Sequence, residues 1–161
     1  MDLIANIPLI GGFLSTVLPF VIVLGIVVFV HEYGHYIVAR WCGIRSEVFS
    51  IGFGPVIWSR RDRRGTLWQV AALPLGGYVK FLGDSDGSSR ADAVTLDHMA
   101  PAERAQTFHG ASVGRRMLTV LAGPVANFLL TIVVFAAIVM WQGVPTERPT
   151  IGEIQVQMAG D

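Results

Sequence analysis

The sequence predicts an α-helical polytopic membrane protein, with two transmembrane helices and a small membrane-associated β-hairpin or sheet between them. Three observations predict it. Residues 13–30 and 117–141 carry no charged side chain, and each meets the length of a membrane-crossing helix. The chain is 52% hydrophobic and only 15% charged, with mean hydropathy +0.54, which is membrane composition. Between the two stretches the residues become β-branched and aromatic and are broken by glycines, as in short strands joined by turns.

The first helix is assigned to residues 1–41. Its apolar pattern continues through Ile37, Val38 and Ala39 to Arg40, giving about 28 residues, or roughly 42 Å at 1.5 Å per residue. The competing reading, a cleaved signal peptide, is not expected, because residues 1–39 contain no Lys or Arg and the hydrophobic stretch is too long. Of the twelve Lys and Arg, all but Arg148 lie between Arg40 and Arg116. The connecting segment is therefore expected on the cytoplasmic side and both ends of the chain on the other.

Residues 42–82 form the β region, with strands expected over 48–58 and 67–81 and a turn carrying Arg60, Arg61, Asp62, Arg63, Arg64 and Gly65. Unpaired strand edges are costly in lipid, so the sheet must pack on the helices or line a watery cavity. Either it covers the end of the first helix, or one edge also pairs with an extended substrate strand. Residues 83–116 are polar and predict a cytoplasmic loop, with one short helix near residues 101–106. Asp84 and Asp86 do not make an EF-hand, since Ser89 and Thr95 stand where that loop needs Gly and Glu. His98 and His109 are expected to be solvated, the alternative being a role for one of them as a further metal ligand. The second helix covers 117–141, with Trp141 at an interfacial position.

Within the first helix, His31-Glu32-Tyr33-Gly34-His35 places two imidazoles four residues apart, hence on one face, with a carboxylate beside them. Ionisable groups at membrane depth are costly and functional by default. Two neutral imidazoles suit Zn2+, with a further protein ligand and an open fourth position for water. His31 and His35 are thus the candidate metal ligands and Glu32 the candidate general base. Counted from Arg40, His35 lies about 7 Å and His31 about 13 Å deeper along the helix. In the second helix, Asn127 brings an amide that needs a partner. It either ties this helix to the first, or donates to a substrate carbonyl or oxyanion. Cys42, the only cysteine, has no partner for an internal disulfide and is read as an inert small residue. A net charge of zero, with the basic residues placed as topology requires, argues against nucleic acid as a partner.

The membrane-embedded 31–35 motif, Gly52-Phe53-Gly54, Pro74-Leu75-Gly76-Gly77-Tyr78-Val79 and Gly123-Pro124-Val125-Ala126-Asn127 together resemble the site-2 protease family of intramembrane zinc metalloproteases, and within it the bacterial RseP group. The resemblance implies a zinc endopeptidase of a bacterial inner membrane that cuts transmembrane segments of regulatory proteins such as anti-sigma factors. It also implies a membrane-dipping β-hairpin and a periplasmic PDZ region, whose first strand would match residues 149–154 within a terminal segment 142–161. The aspartate that supplies the third zinc ligand in that family, within Leu-Asp-Gly on a later helix, has no counterpart here: Leu96-Asp97-His98 lies in the polar loop. This sequence is therefore expected to be the N-terminal portion of a longer enzyme. On its own it is expected to hold a metal weakly and not to be active. The rival reading is a non-catalytic membrane metal-binding subunit or scaffold; the missing third ligand favours that reading for this stretch, and the retained Glu32 favours the enzyme.

Overall fold

A computed structural model describes residues 8–143 of the chain. It contains two long helices, α1 (Pro8–Trp41) and α4 (Val113–Gln142), two strands, β1 (Ser46–Arg61) and β2 (Leu67–Phe81), and two short helices, α2 (Ala93–His98) and α3 (Pro101–Arg104). The expected order of elements is present. The second long helix starts four residues earlier than the apolar stretch alone indicates, because Arg115 and Arg116 form its first turns. The PDZ-like segment at 149–154 lies outside the described residues.

Both long helices are apolar and long enough to cross a membrane. They present Phe13, Phe20, Ile22, Ile132, Val133 and Phe135 outward, as lipid-facing helices do. They pack where their backbones can approach. A Cβ on Gly34 would meet the Ala122 carbonyl oxygen at 2.5 Å and Ala126 Cβ at 2.8 Å, so the glycine inside the histidine motif is a helix-contact residue. At the end of α1, Arg115 Nη1 donates to the Cys42 carbonyl oxygen at 3.0 Å, satisfying a terminal helix carbonyl from α4.

The two strands are antiparallel, in the register Ser46↔Phe81, Phe49↔Val79 and Ile51↔Gly77, then Phe53↔Leu73 and Val56↔Ala71 through to Arg61↔Leu67. Residues 48–51 also pair on their other side with residues 67–70, both numbers rising together. The hairpin is thus folded back on itself, with the first half of β1 between the two halves of β2. Gly52 (φ +86) and Gly54 (φ +84) make the bend, in a backbone region that favours glycine. At Gly52 any Cβ would also strike the Leu73 carbonyl oxygen at 2.7 Å.

The sheet is anchored on α1 by a small core that includes Tyr36, Ala39, Ile44, Phe49, Val79 and Phe81, against which Cys42 packs. Phe49 stacks on Trp68 with centroids 4.3 Å apart, and Tyr36 meets both rings edge-on at 5.6 and 5.2 Å. The Arg-rich turn is held by Asp62, whose Oδ1 accepts from the Arg64 and Thr66 amides and whose Oδ2 accepts from Trp68 Nε1 and the Tyr36 hydroxyl, the last two at 3.3 Å. Burial opposes the Asp62 charge, but these four hydrogen bonds outweigh it and hold the carboxyl below its ordinary value.

The polar loop is more ordered than its composition indicates. Asp92 caps α2, accepting from the Thr95 amide, and Leu96 is buried. The expected helix near 101–106 is α3, closed after a single turn. His98 is exposed as expected, but the expectation that His109 is solvated is corrected. His109 is half-buried: its Nε2 lies 3.1 Å from the Ser89 carbonyl oxygen and 3.4 Å from Asp84 Oδ1. Asp84 is itself buried, with Oδ2 accepting from the Phe81 amide.

Candidate metal centre

The sequence places His31 and His35 on one face of α1, and the fold turns that face onto α4. The two rings are 4.8 Å apart and nearly perpendicular. His35 Nδ1 lies 2.7 Å from the Thr119 carbonyl oxygen, and His31 Nδ1 lies 3.1 Å from Asn127 Nδ2. Each ring is therefore held from α4 by its Nδ1 edge. The opposite edges converge on Gly123: a Cβ there would meet His31 Nε2 at 2.8 Å and would collide with His35 Nε2 and Cε1. Thr119, Gly123 and Asn127 recur every four residues, so one stripe of α4 faces both histidines.

Two imidazoles with Nδ1 held and Nε2 pointing to a common place are a donor pair that fits a tetrahedral metal such as zinc. Among the described residues no group of three or more His, Cys, Asp and Glu side chains gathers in this way. His98 and His109, weighed as further ligands, therefore do not join the pair.

Glu32 lies on the adjoining face of the helix, toward the sheet. A Cβ on Gly77 would lie 3.1 Å from Glu32 Cγ, so β2 passes against the Glu32 side chain. Glu32 and His35 line a cavity of about 340 Å³ together with Gly77, Tyr78, Ser89 and Thr119. One wall is the β2 segment 77–81, paired with β1 on one side only. The opposite wall is the start of α4, and the loop residues 87–89 add a further wall. A histidine, a carboxylate-bearing side chain and a strand edge thus line one opening.

The sequence reading identified His31, Glu32, His35 and Asn127, and the fold brings Asn127 to His31. It did not identify Thr119, which acts through its backbone carbonyl, Gly123, which acts by lacking a side chain, or the 87–89 segment. A glycine one helical turn before a membrane-buried asparagine was the available signal for Gly123.

Residues 19–159 match the profile of peptidase family M50. The chain is 51% identical over 149 residues to a protein of Agrobacterium fabrum that carries the name of a zinc metalloprotease, a match covering 92% of this chain and 40% of that protein. It is 44% identical over 151 residues to metalloprotease MmpA of Caulobacter vibrioides, covering 89% and 38%. It is 48% identical over 135 residues to the regulator of sigma-E protease RseP of Salmonella typhimurium, covering 84% and 28%. The chain spans two fifths or less of these relatives.

Proposed function

The chain belongs to peptidase family M50, and from that premise we propose that it is the part of an intramembrane zinc endopeptidase that supplies two metal ligands and the general base. The reading takes His31 and His35 as ligands through Nε2 and Glu32 as the base. The observation that carries it is the convergence of both Nε2 edges over Gly123, with Glu32 on the adjoining face under β2.

Zinc held there would supply an acidified water and polarise the scissile carbonyl. The chain's own residues do the rest. The free edge of β2 at residues 77–81 pairs with an extended substrate segment, drawing it out of helical form and laying its backbone beside Glu32. Glu32 takes a proton from the attacking water as its oxygen bonds to the carbonyl carbon, then delivers that proton to the departing amide nitrogen as the C–N bond breaks. The sheet and the 87–89 segment limit access of bulk water to the cavity.

The substrate class inferred is a transmembrane segment of a regulatory membrane protein, with anti-sigma factors the specific case, in keeping with the name of the Salmonella relative. α1 and α4 cross the inner membrane of a bacterium, residues 42–116 face the cytoplasm, and both ends of the chain face the periplasm. The Lys and Arg distribution supports that orientation. A terminal PDZ-like strand at 149–154 belongs to the same proposal.

Zinc content tests the ligand assignment. A full-length version of the enzyme in detergent should carry about one zinc per chain, and His31→Ala and His35→Ala should each lose most of it. Unchanged zinc in both variants would favour the scaffold reading over the enzyme.

A further inference from the structure

We propose that Asn127 is a positioning residue for His31: its side-chain oxygen accepts a hydrogen bond from His31 Nδ1–H and so keeps the ring turned with Nε2 bare toward the metal. The inference rests on the reading of His31 and His35 as ligands.

His35 supplies the template. Its Nδ1 faces the Thr119 carbonyl at 2.7 Å, and a carbonyl only accepts, so Nδ1 carries the proton and Nε2 keeps its lone pair. His31 turns its Nε2 to the same place over Gly123, so the same tautomer is required of it. Its Nδ1 must then donate. Among the described residues the one side chain hydrogen-bonded to it is Asn127, with Nδ2 at 3.1 Å, and an NH2 group facing an N–H would set two donors head to head.

The other end of that amide settles the orientation. Asn127 Oδ1 is buried and has no hydrogen-bond partner, which is costly for an acceptor at membrane depth. A half-turn of the amide exchanges oxygen and nitrogen within nearly the same volume and brings Oδ1 to His31 Nδ1–H. Either orientation leaves one end of the amide unpaired, so the choice is made at the imidazole, where only the oxygen makes a bond. Thr119, Gly123 and Asn127 then serve the two ligands from consecutive turns of α4: acceptor, clearance, acceptor.

The test measures zinc affinity of a full-length version of the enzyme in detergent by competition with a chromophoric chelator, alongside ¹⁵N-histidine spectra of the zinc-bound protein. Asn127→Leu keeps the volume and removes the acceptor; it should weaken zinc about 10- to 100-fold, the usual cost of losing an outer hydrogen-bond partner. Asn127→Asp keeps an acceptor and should hold zinc at or above the wild-type affinity, with the His31 Nδ1 signal still that of a protonated nitrogen. Rescue by Asp and not by Leu is a result that loss of packing alone does not give. Wild-type affinity in Asn127→Leu, or equal loss in both variants, overturns the proposal. A wild-type full-length enzyme that bound no zinc would instead overturn the ligand assignment beneath it.

Discussion

Gly77 on β2 lies directly against Glu32 on α1: a Cβ at position 77 would sit 3.1 Å from Glu32 Cγ, 3.2 Å from Val28 Cγ1 and 2.8 Å from the Ser50 carbonyl oxygen. The strand packs this closely on the Glu32 side chain only because residue 77 has no side chain. One of its three close contacts is a backbone oxygen of the neighbouring strand, which cannot rotate away.

Gly77→Ala should therefore lift the edge from Glu32 while leaving the histidines in place. A displacement of about 1 Å at a reacting centre can cost about 100-fold in rate. Cleavage of a transmembrane reporter should fall on that order with zinc content unchanged. Full activity in Gly77→Ala would separate the strand edge from substrate positioning.

Gly123→Ala should act on the metal instead. Its Cβ would fall on the Nε2 edges of both imidazoles, whose rings are held from behind at Nδ1 and cannot swing clear without losing those bonds. Zinc affinity should drop at least about tenfold, comparable to losing an outer hydrogen-bond partner. Chelator competition measures it, and an unaltered affinity would place the metal away from Gly123.

The loop that closes the cavity should respond to pH through Asp84. Burial pushes its carboxyl from 3.8 up to about 6, against the lowering effects of the Phe81 amide, His109 and Lys80; Glu47 adds to the rise. Because the folded value lies above the unfolded one, the folded state holds the extra proton. This contribution to stability is complete below about pH 3.8 and is lost as pH rises through about 6. Hydrogen exchange at the amides of residues 81–92, corrected for intrinsic rate, should show opening that increases across pH 4–6, by at most about 100-fold. Asp84→Asn should flatten that dependence; an equally steep profile in the variant would assign it to another group.

How much of this was legible in the sequence differs by element. Residues 31–35 announced both the helix and the pairing of His31 with His35 on one face, because a four-residue spacing has one geometric meaning on a helix. The strands were visible in their β-branched and aromatic residues, but the folding back of residues 46–51 between the halves of β2 was not, since it depends on positive φ at Gly52 and Gly54. His109 was read as solvated because its partner, Asp84, is distant in sequence and enters the core only when Phe81 needs an acceptor. Helix α2 was missed although Asp92 three residues before Thr95 is a capping signal; the surrounding Gly, Ser and Asp masked it. The support of His35 by a backbone carbonyl at Thr119 leaves no trace in residue identity.

Orientation is checked by labelling. A single cysteine at position 63, in a Cys42→Ser background, should react only with reagents that reach the cytoplasm, and one at position 147 with impermeant external reagents, as the Lys and Arg asymmetry requires. Reversed labelling would move the metal site to the other half of the membrane.

Activity and zinc content of Glu32→Gln, measured together in a full-length version of the enzyme, test the central claim most directly. The amide keeps the size of the side chain beneath Gly77 but cannot accept the proton of the attacking water. Cleavage of a transmembrane substrate should fall at least ~100-fold, the lower end of what general-base catalysis contributes, while zinc stays near the wild-type level. Cleavage at the wild-type rate with zinc retained would contradict the assignment of Glu32 as the base.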